Sequence, residues 1–166
     1  MPDDADKMLH TLTIDIGYYM ANYMWWPREK EYTPKLDEKA WRKLLLDDSV
    51  FDDSALKIIK RMDASGGAAS CIELSLQYGL DTNFYNKNST ELAKRICDKT
   101  GCKPFLTKDK NEQEVVKHWP VIYVGRSAGS TEEGSYIWKL RDDINEIESN
   151  VVTNAIAGDE QVKILS

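Results

Sequence analysis

Between residues 83 and 99 the sequence presents Asn83, Tyr85, Asn86, Lys87, Lys94, Arg95 and Lys99, residue types that meet nucleic acid in two ways. Lysine and arginine displace counterions from phosphates and supply affinity. Amide and phenol groups reach base edges and supply selectivity. Within this stretch Lys87, Glu91, Lys94, Arg95 and Asp98 can share one side of a helix while Leu92 and Ile96 pack inward. The wider segment from Asn86 to Lys110 holds Lys87, Lys94, Arg95, Lys99, Lys103, Lys108 and Lys110 against Glu91, Asp98 and Asp109. Its local charge of +4 stands in a chain of net charge -6, so the rest carries -10. Nucleic acid is therefore expected to approach here and to be repelled elsewhere. Lys103, Arg126 and Lys139 are expected to add further contacts.

A second constellation is aromatic: Tyr18, Tyr19, Tyr23, Trp25 and Trp26. Aromatic rings hold unstacked bases at about 1–3 kcal/mol each, although large aromatics at helical spacing more often complete a core. At the exit of a helix two adjacent rings point roughly 100° apart. One of Trp25 and Trp26 is thus expected to face a ligand and the other the interior.

Catalytic chemistry is not expected. No Gly-x-x-x-x-Gly-Lys-Ser/Thr loop occurs, which excludes a P-loop within this sequence. Asp37-Glu38-Lys39 suits a helix start better than a nuclease centre, and the pairs Asp47-Asp48, Asp52-Asp53 and Asp142-Asp143 flank expected helix ends, where carboxylates are stabilised. His10 and His118 support no triad, and Cys71, Cys97 and Cys102 lack metal spacing. Neither a metal nor a cofactor is expected. Cys97 and Cys102 read as two small thiols bracketing a helix end.

The elements that must position these groups follow from periodicity. Leu9, Leu12, Ile16, Tyr19, Met20 and Tyr23 predict a helix from Lys7 to Met24, ended by Pro27. Asp37 caps a short helix with Trp41, Leu44 and Leu45, and another runs from Ser54 through Leu56, Ile59 and Met62 to Gly66-Gly67. Ser70 with Glu73 forms a capping box for a helix closed by Gly79. Leu80 to Asn83 reads as a tight turn, and Asn88 with Glu91 as the start of a helix ending at Gly101. Phe84 and Tyr85 either plug the angle between these helices or lengthen the second by a turn. Lys103 to Lys117 reads as a charged loop with a weak strand near Phe105 and Leu106. Val121–Val124 and Tyr136–Leu140 read as strands of a hairpin with an acidic tip, Glu132 and Glu133. A last helix starts near Asp142 and carries Ile144 and Ile147.

This order predicts an α+β, mainly helical, winged-helix-like fold: a helix-turn-helix followed by a β-hairpin wing, with extra N-terminal helices. Residues 1–53 form a helical extension packed on the core, 54–150 the winged-helix-like core, and 151–166 a tail expected to be partly disordered. Of the 166 residues, 42% are hydrophobic and 30% charged, which suits one globular domain. No run approaches the ~20 apolar residues of a membrane span, and Asp3, Asp4 and Asp6 are unlike the start of a secretion signal. A cytoplasmic location is expected.

Three blocks carry a resemblance: Trp25-Trp26-Pro27-Arg28-Glu29-Lys30-Glu31-Tyr32; Gly66-Gly67 through Tyr78-Gly79 with Asn83-Phe84-Tyr85-Asn86; and Trp119-Pro120 to Arg126 with Gly134-Ser135-Tyr136-Ile137-Trp138-Lys139-Leu140-Arg141. Over about Met8 to Glu148 the chain resembles the N-terminal module of McrB-like AAA+ GTPase subunits of bacterial modification-dependent restriction systems. The resemblance implies a DNA-recognition head in a defence system, normally joined to a GTP-hydrolysing motor that recruits an endonuclease; this sequence holds neither motor nor nuclease. DNA, modified or not, and those two subunits are the partners it implies. The alternative from the residues is a protein–protein interaction or transcription-regulator-like winged-helix module.

Overall fold

Short polar side chains set where the helices begin. A computed structural model of the chain describes residues 24–144. The helix expected over Lys7–Met24, Met24 itself excepted, the aromatics Tyr18, Tyr19 and Tyr23, and the tail from Val151 lie outside the described residues. Helix α1 spans Glu38–Leu45 and α2 Asp53–Ala64, capped by Asp37 and Asp52, whose carboxylates accept from Ala40 and Ala55 N–H groups at 2.8 and 2.9 Å. α2 thus starts a residue before Ser54, because Asp52 is the cap. Helix α3, Cys71–Tyr78, is capped by Ser70 Oγ accepting from Glu73 N–H at 3.1 Å, as the capping box predicts. Each such cap contributes about 1 kcal/mol.

The next helix corrects the sequence reading. Helix α4 runs unbroken over Thr82–Thr100, capped by Asp81, whose carboxylate accepts from Asn83 N–H. Asn88 lies inside it and donates from Nδ2 to Phe84 C=O. The connection from α3 is reduced to Gly79 and Leu80, both at positive φ, with Asp81. Tyr85 decides the longer helix. Its ring is fully buried, and its hydroxyl donates to Gly79 C=O at 2.7 Å while accepting from Arg61 Nη1 at 2.7 Å.

Beyond Gly101 the strand expected near Phe105 and Leu106 is β2 (Phe105–Lys108), and it forms a second hairpin with β3 (Glu114–Lys117), which the expected loop did not include, joined through an Asp109 turn whose carboxylate accepts from Asn111 and Gln113 N–H groups. A short 3-10 turn, Trp119–Val121, replaces the start of the predicted strand, since the Val121 and Ile122 N–H groups donate to His118 and Trp119 C=O, each at 3.0 Å, and are taken from any ladder. Strand β4 is then Tyr123–Ser127 and β5 Tyr136–Leu140, in register from Tyr123↔Leu140 to Ser127↔Tyr136. A two-residue strand β1, Ala68–Ala69, pairs with the other edge of β5, giving an antiparallel sheet ordered β1-β5-β4.

One apolar cluster joins these pieces. Trp41, Leu44 and Leu45 of α1, Ile58, Ile59 and Met62 of α2, Leu92 and Ile96 of α4, and Tyr123, Trp138 and Leu140 of the sheet are all buried in it. Tyr123 stacks on Trp138 with ring centres 4.8 Å apart, and its hydroxyl shares a 2.9 Å hydrogen bond with buried Ser89 of α4. The architecture is mixed α+β with small antiparallel sheets. Among the described residues no helix is long and apolar enough to cross a membrane.

Candidate nucleic-acid interface

Along α4, burial sorts the side chains into stripes. Tyr85, Ser89, Leu92, Ala93 and Ile96 face the core. Asn83, Asn86, Lys87, Glu91, Lys94 and Asp98 are exposed on the opposite side, with Thr90 half-exposed between them. From Thr82 to Thr90 the helix has no carboxylate, so its first half joins Lys87 to the positive end of the helix dipole. Lys87 and Lys94 make no ion pair among the described residues. Glu91 and Asp98 balance them over the full length, and the Asp81 carboxylate sits at the N-terminal cap.

The other expected cations on this helix are engaged by the protein itself. Arg95 turns toward the start of α2, where Nε donates to Val50 C=O at 2.8 Å and Nη2 lies 3.6 Å from the Asp52 carboxylate. Lys99 is 3.4 Å from Asp47, an open surface pair that costs little to break. Asp47 is held below the usual carboxylate range first by Ser49 and, to a lesser degree, by Lys99. Lys103 is exposed, and its carbonyl accepts from Tyr32 Oη at 2.7 Å. Tyr85, expected at the bases, is corrected to a core residue: with its ring buried and its hydroxyl committed, it has no surface to offer.

Arg126 is corrected in the same sense. Expected to reach DNA, it forms a two-pronged clasp with Glu132, Nη1 to Oε1 and Nη2 to Oε2 both at 2.7 Å. Glu132 Oε1 also accepts from Gly129 N–H at 2.8 Å. These hydrogen bonds, led by Arg126, hold the Glu132 carboxyl down at about 2. The acidic hairpin tip therefore neutralises its own arginine, and it is anchored to α3 by Ser70 Oγ donating to Glu133 C=O at 2.7 Å.

Trp25 and Trp26 lie on an extended arm. Trp26 exchanges two backbone hydrogen bonds with Gly125 of β4, 2.8 and 2.7 Å. Its ring packs on Phe105 and Trp119 at 5.1 and 5.9 Å, so Trp26 is the structural one of the pair. A side chain at Gly125 would strike the Tyr136 ring, so it is Tyr136 of β5 that requires a glycine at this position. The neighbouring ring, Trp25, has Arg126 at 5.0 Å and Lys139 at 5.5 Å from its centre. Three expected contact residues, distant in sequence, thus converge in one place. Trp25 and Lys139 line a cleft of about 490 Å³ together with Arg28, Lys35 and Arg141. Arg141 donates from Nε to Pro120 C=O at 2.7 Å, while its buried Nη2 has no partner among the described residues.

Sequence reasoning missed Arg141 as a cleft residue, since only the fold brings the arm across β5. It also missed Arg61, whose guanidinium lies over the Tyr78 ring at 5.2 Å. No family model, curated protein or solved structure matches the chain. Among the described residues no group of three or more His, Cys, Asp or Glu side chains is placed to hold a metal ion.

Proposed function

We propose that the chain is a DNA-binding recognition module, of the kind that serves a bacterial modification-dependent restriction system beside a AAA+ GTPase motor and an endonuclease. The observation that carries this reading is the outer face of α4, exposed over its whole length and free of carboxylates through Thr90, with Asn83, Asn86, Lys87 and Lys94 at helical steps. Element order supports it. The succession α2, β1, α3, α4, β4, β5 with sheet order β1-β5-β4 is compatible with a winged helix, in which α4 would be the helix offered to the major groove. The β2–β3 hairpin is then an insertion between that helix and the wing. In this reading Lys87 and Lys94 contact phosphates, Asn83 and Asn86 reach base edges, and Trp25 stacks on an unstacked base in the separate cleft that it lines.

Mobility-shift titration of the purified chain across a salt series tests the proposal. Log affinity is expected to fall against log salt by about 0.9 per phosphate neutralised. A flat dependence, or no complex at low salt, rejects it. If the Trp25 cleft reads a base modification, methylated and unmethylated duplexes separate in affinity, and Trp25→Ala erases the difference without loss of folding.

One observation favours a second reading, a protein-interaction module. Ile72 and Leu76 of α3 and Leu80 after it are spaced four apart and stand 41%, 70% and 49% exposed, an apolar stripe of the kind that partners cover. Capture of the same partner before and after nuclease treatment selects this alternative.

A further inference from the structure

The end of α4 sets two thiols against each other. Gly101 adopts the left-handed conformation, φ 76°, and its N–H donates to Cys97 C=O at 2.8 Å, closing the helix. This kind of cap brings the residue after the glycine against the last helical turn, ordinarily as an apolar contact. Here the two residues are Cys102 and Cys97. Their sulfurs lie 3.4 Å apart, the Cys102 thiol donating to Cys97 Sγ. Thr100 Oγ1 fixes the approach by accepting from Cys102 N–H at 3.1 Å while donating to Ile96 C=O at 2.7 Å.

We propose that Cys97 and Cys102 are a reversible oxidation site for small hydroperoxides, closing to an intrachain disulfide across the α4 cap. Access favours Cys102 as the attacking group. It lines an open cleft of about 630 Å³ between the arm and the end of α4, beside Thr100, Gly101 and Lys103. In the first step the Cys102 thiolate attacks one peroxide oxygen. The sulfur–oxygen bond forms, the oxygen–oxygen bond breaks, and the departing hydroxide takes up the thiol proton to leave as water. In the second step Cys97 sulfur attacks Cys102 sulfur; the sulfur–oxygen bond breaks, and a second water leaves with the Cys97 proton. The peroxide gains two electrons, one from each sulfur.

The sulfurs must close from 3.4 Å to the ~2.05 Å of a disulfide, a movement within reach of side-chain rotation. Burial, and then the neighbouring Cys102 sulfur, push the Cys97 thiol up to about 12, which suits a resolving thiol better than an attacking one. Cys71 is an internal control, its thiol pushed up to about 11 by burial. The bond would tie the last turn of α4 to the segment whose Lys103 carbonyl holds Tyr32 of the arm.

The test treats the whole chain with equimolar hydrogen peroxide, quenches it, and alkylates the remaining thiols under denaturing conditions for intact mass measurement. Two of the three thiols are expected to be lost and to return with dithiothreitol. Tryptic cleavage after Lys99 should leave the peptides holding Cys97 and Cys102 joined. In Cys97→Ser a sulfenic acid is expected to accumulate at Cys102 and to be trapped by dimedone. In Cys102→Ser thiol loss should slow by about tenfold or more. Retention of all three thiols, consumption of Cys71 as fast as the pair, or a disulfide between chains would each overturn the proposal.

Discussion

Lys94 and Arg95 are adjacent on α4, yet they belong to different parts of the molecule. Lys94, with Lys87 one further step along the same face, is exposed and unpaired among the described residues. Arg95 is folded against the Val50 carbonyl and the Asp52 carboxylate, and Lys99 one turn on leans to Asp47. The roughly 100° between neighbouring helical positions is the whole cause. A count of positive residues along a sequence therefore overstates the charge a partner can meet, because the fold divides the cations between adhesion and availability.

That division can be broken from either side. The largest effect is expected from Arg95→Met, which removes a charge-assisted hydrogen bond to a carbonyl and a partly exposed ion pair. Urea denaturation should report a loss of about 1–2 kcal/mol while DNA affinity per folded molecule stays unchanged; a fall in affinity without loss of stability would erase the distinction. Next is the double variant Lys87→Ala/Lys94→Ala, which should fold as the parent does. Its affinity for duplex DNA should fall roughly tenfold, and its salt slope shrink by about 1.8, two phosphates' worth.

The smallest effect sharpens the placement of Lys94. Burial, and secondly the Lys94 charge, lower the His118 pKa. The folded state therefore resists protonating this imidazole. Its contribution to stability is full above the ordinary value near 6.5 and is lost as pH falls through the lowered folded value. Lys94→Ala should raise the His118 pKa toward 6.5, read by NMR titration of its ring protons; no movement would mean that solvent screens this charge.

What was legible in the sequence was what short-range chemistry writes there. Asp37, Ser70 and Gly101 mark helix ends, and the alternation in Tyr136–Leu140 marks a strand. What escaped depends on distant partners. Asn88 with Glu91 imitates a helix start, but Tyr85 is held by Gly79 and Arg61, so the helix begins seven residues earlier, at a cap on Asp81. Of the β2–β3 hairpin only the strand near Phe105 and Leu106 was legible, and β3 escaped because its two apolar residues, Val115 and Val116, are adjacent and show no alternation in the sequence. In the site, the convergence of Trp25, Arg126 and Lys139 needed the bridge between Trp26 and Gly125, a pairing no local pattern announces. Likewise the Arg126 clasp depended on how the loop from Ala128 to Gly134 turns back.

The β1–β5 pairing has a consequence for how the molecule is made. Ala68 meets Lys139 and Ala69 meets Trp138, so during synthesis the strand next to α3 waits for nearly all of the described chain to emerge from the ribosome. The helices between them can form early on local contacts, but Trp138 and Leu140, which pack into the same core, arrive late, with Ile144 after them. Pairings this far apart in sequence slow folding. The nascent chain therefore passes through a stage in which the helices exist and their apolar undersides are still uncovered, the stage at which a chaperone has the most to hold.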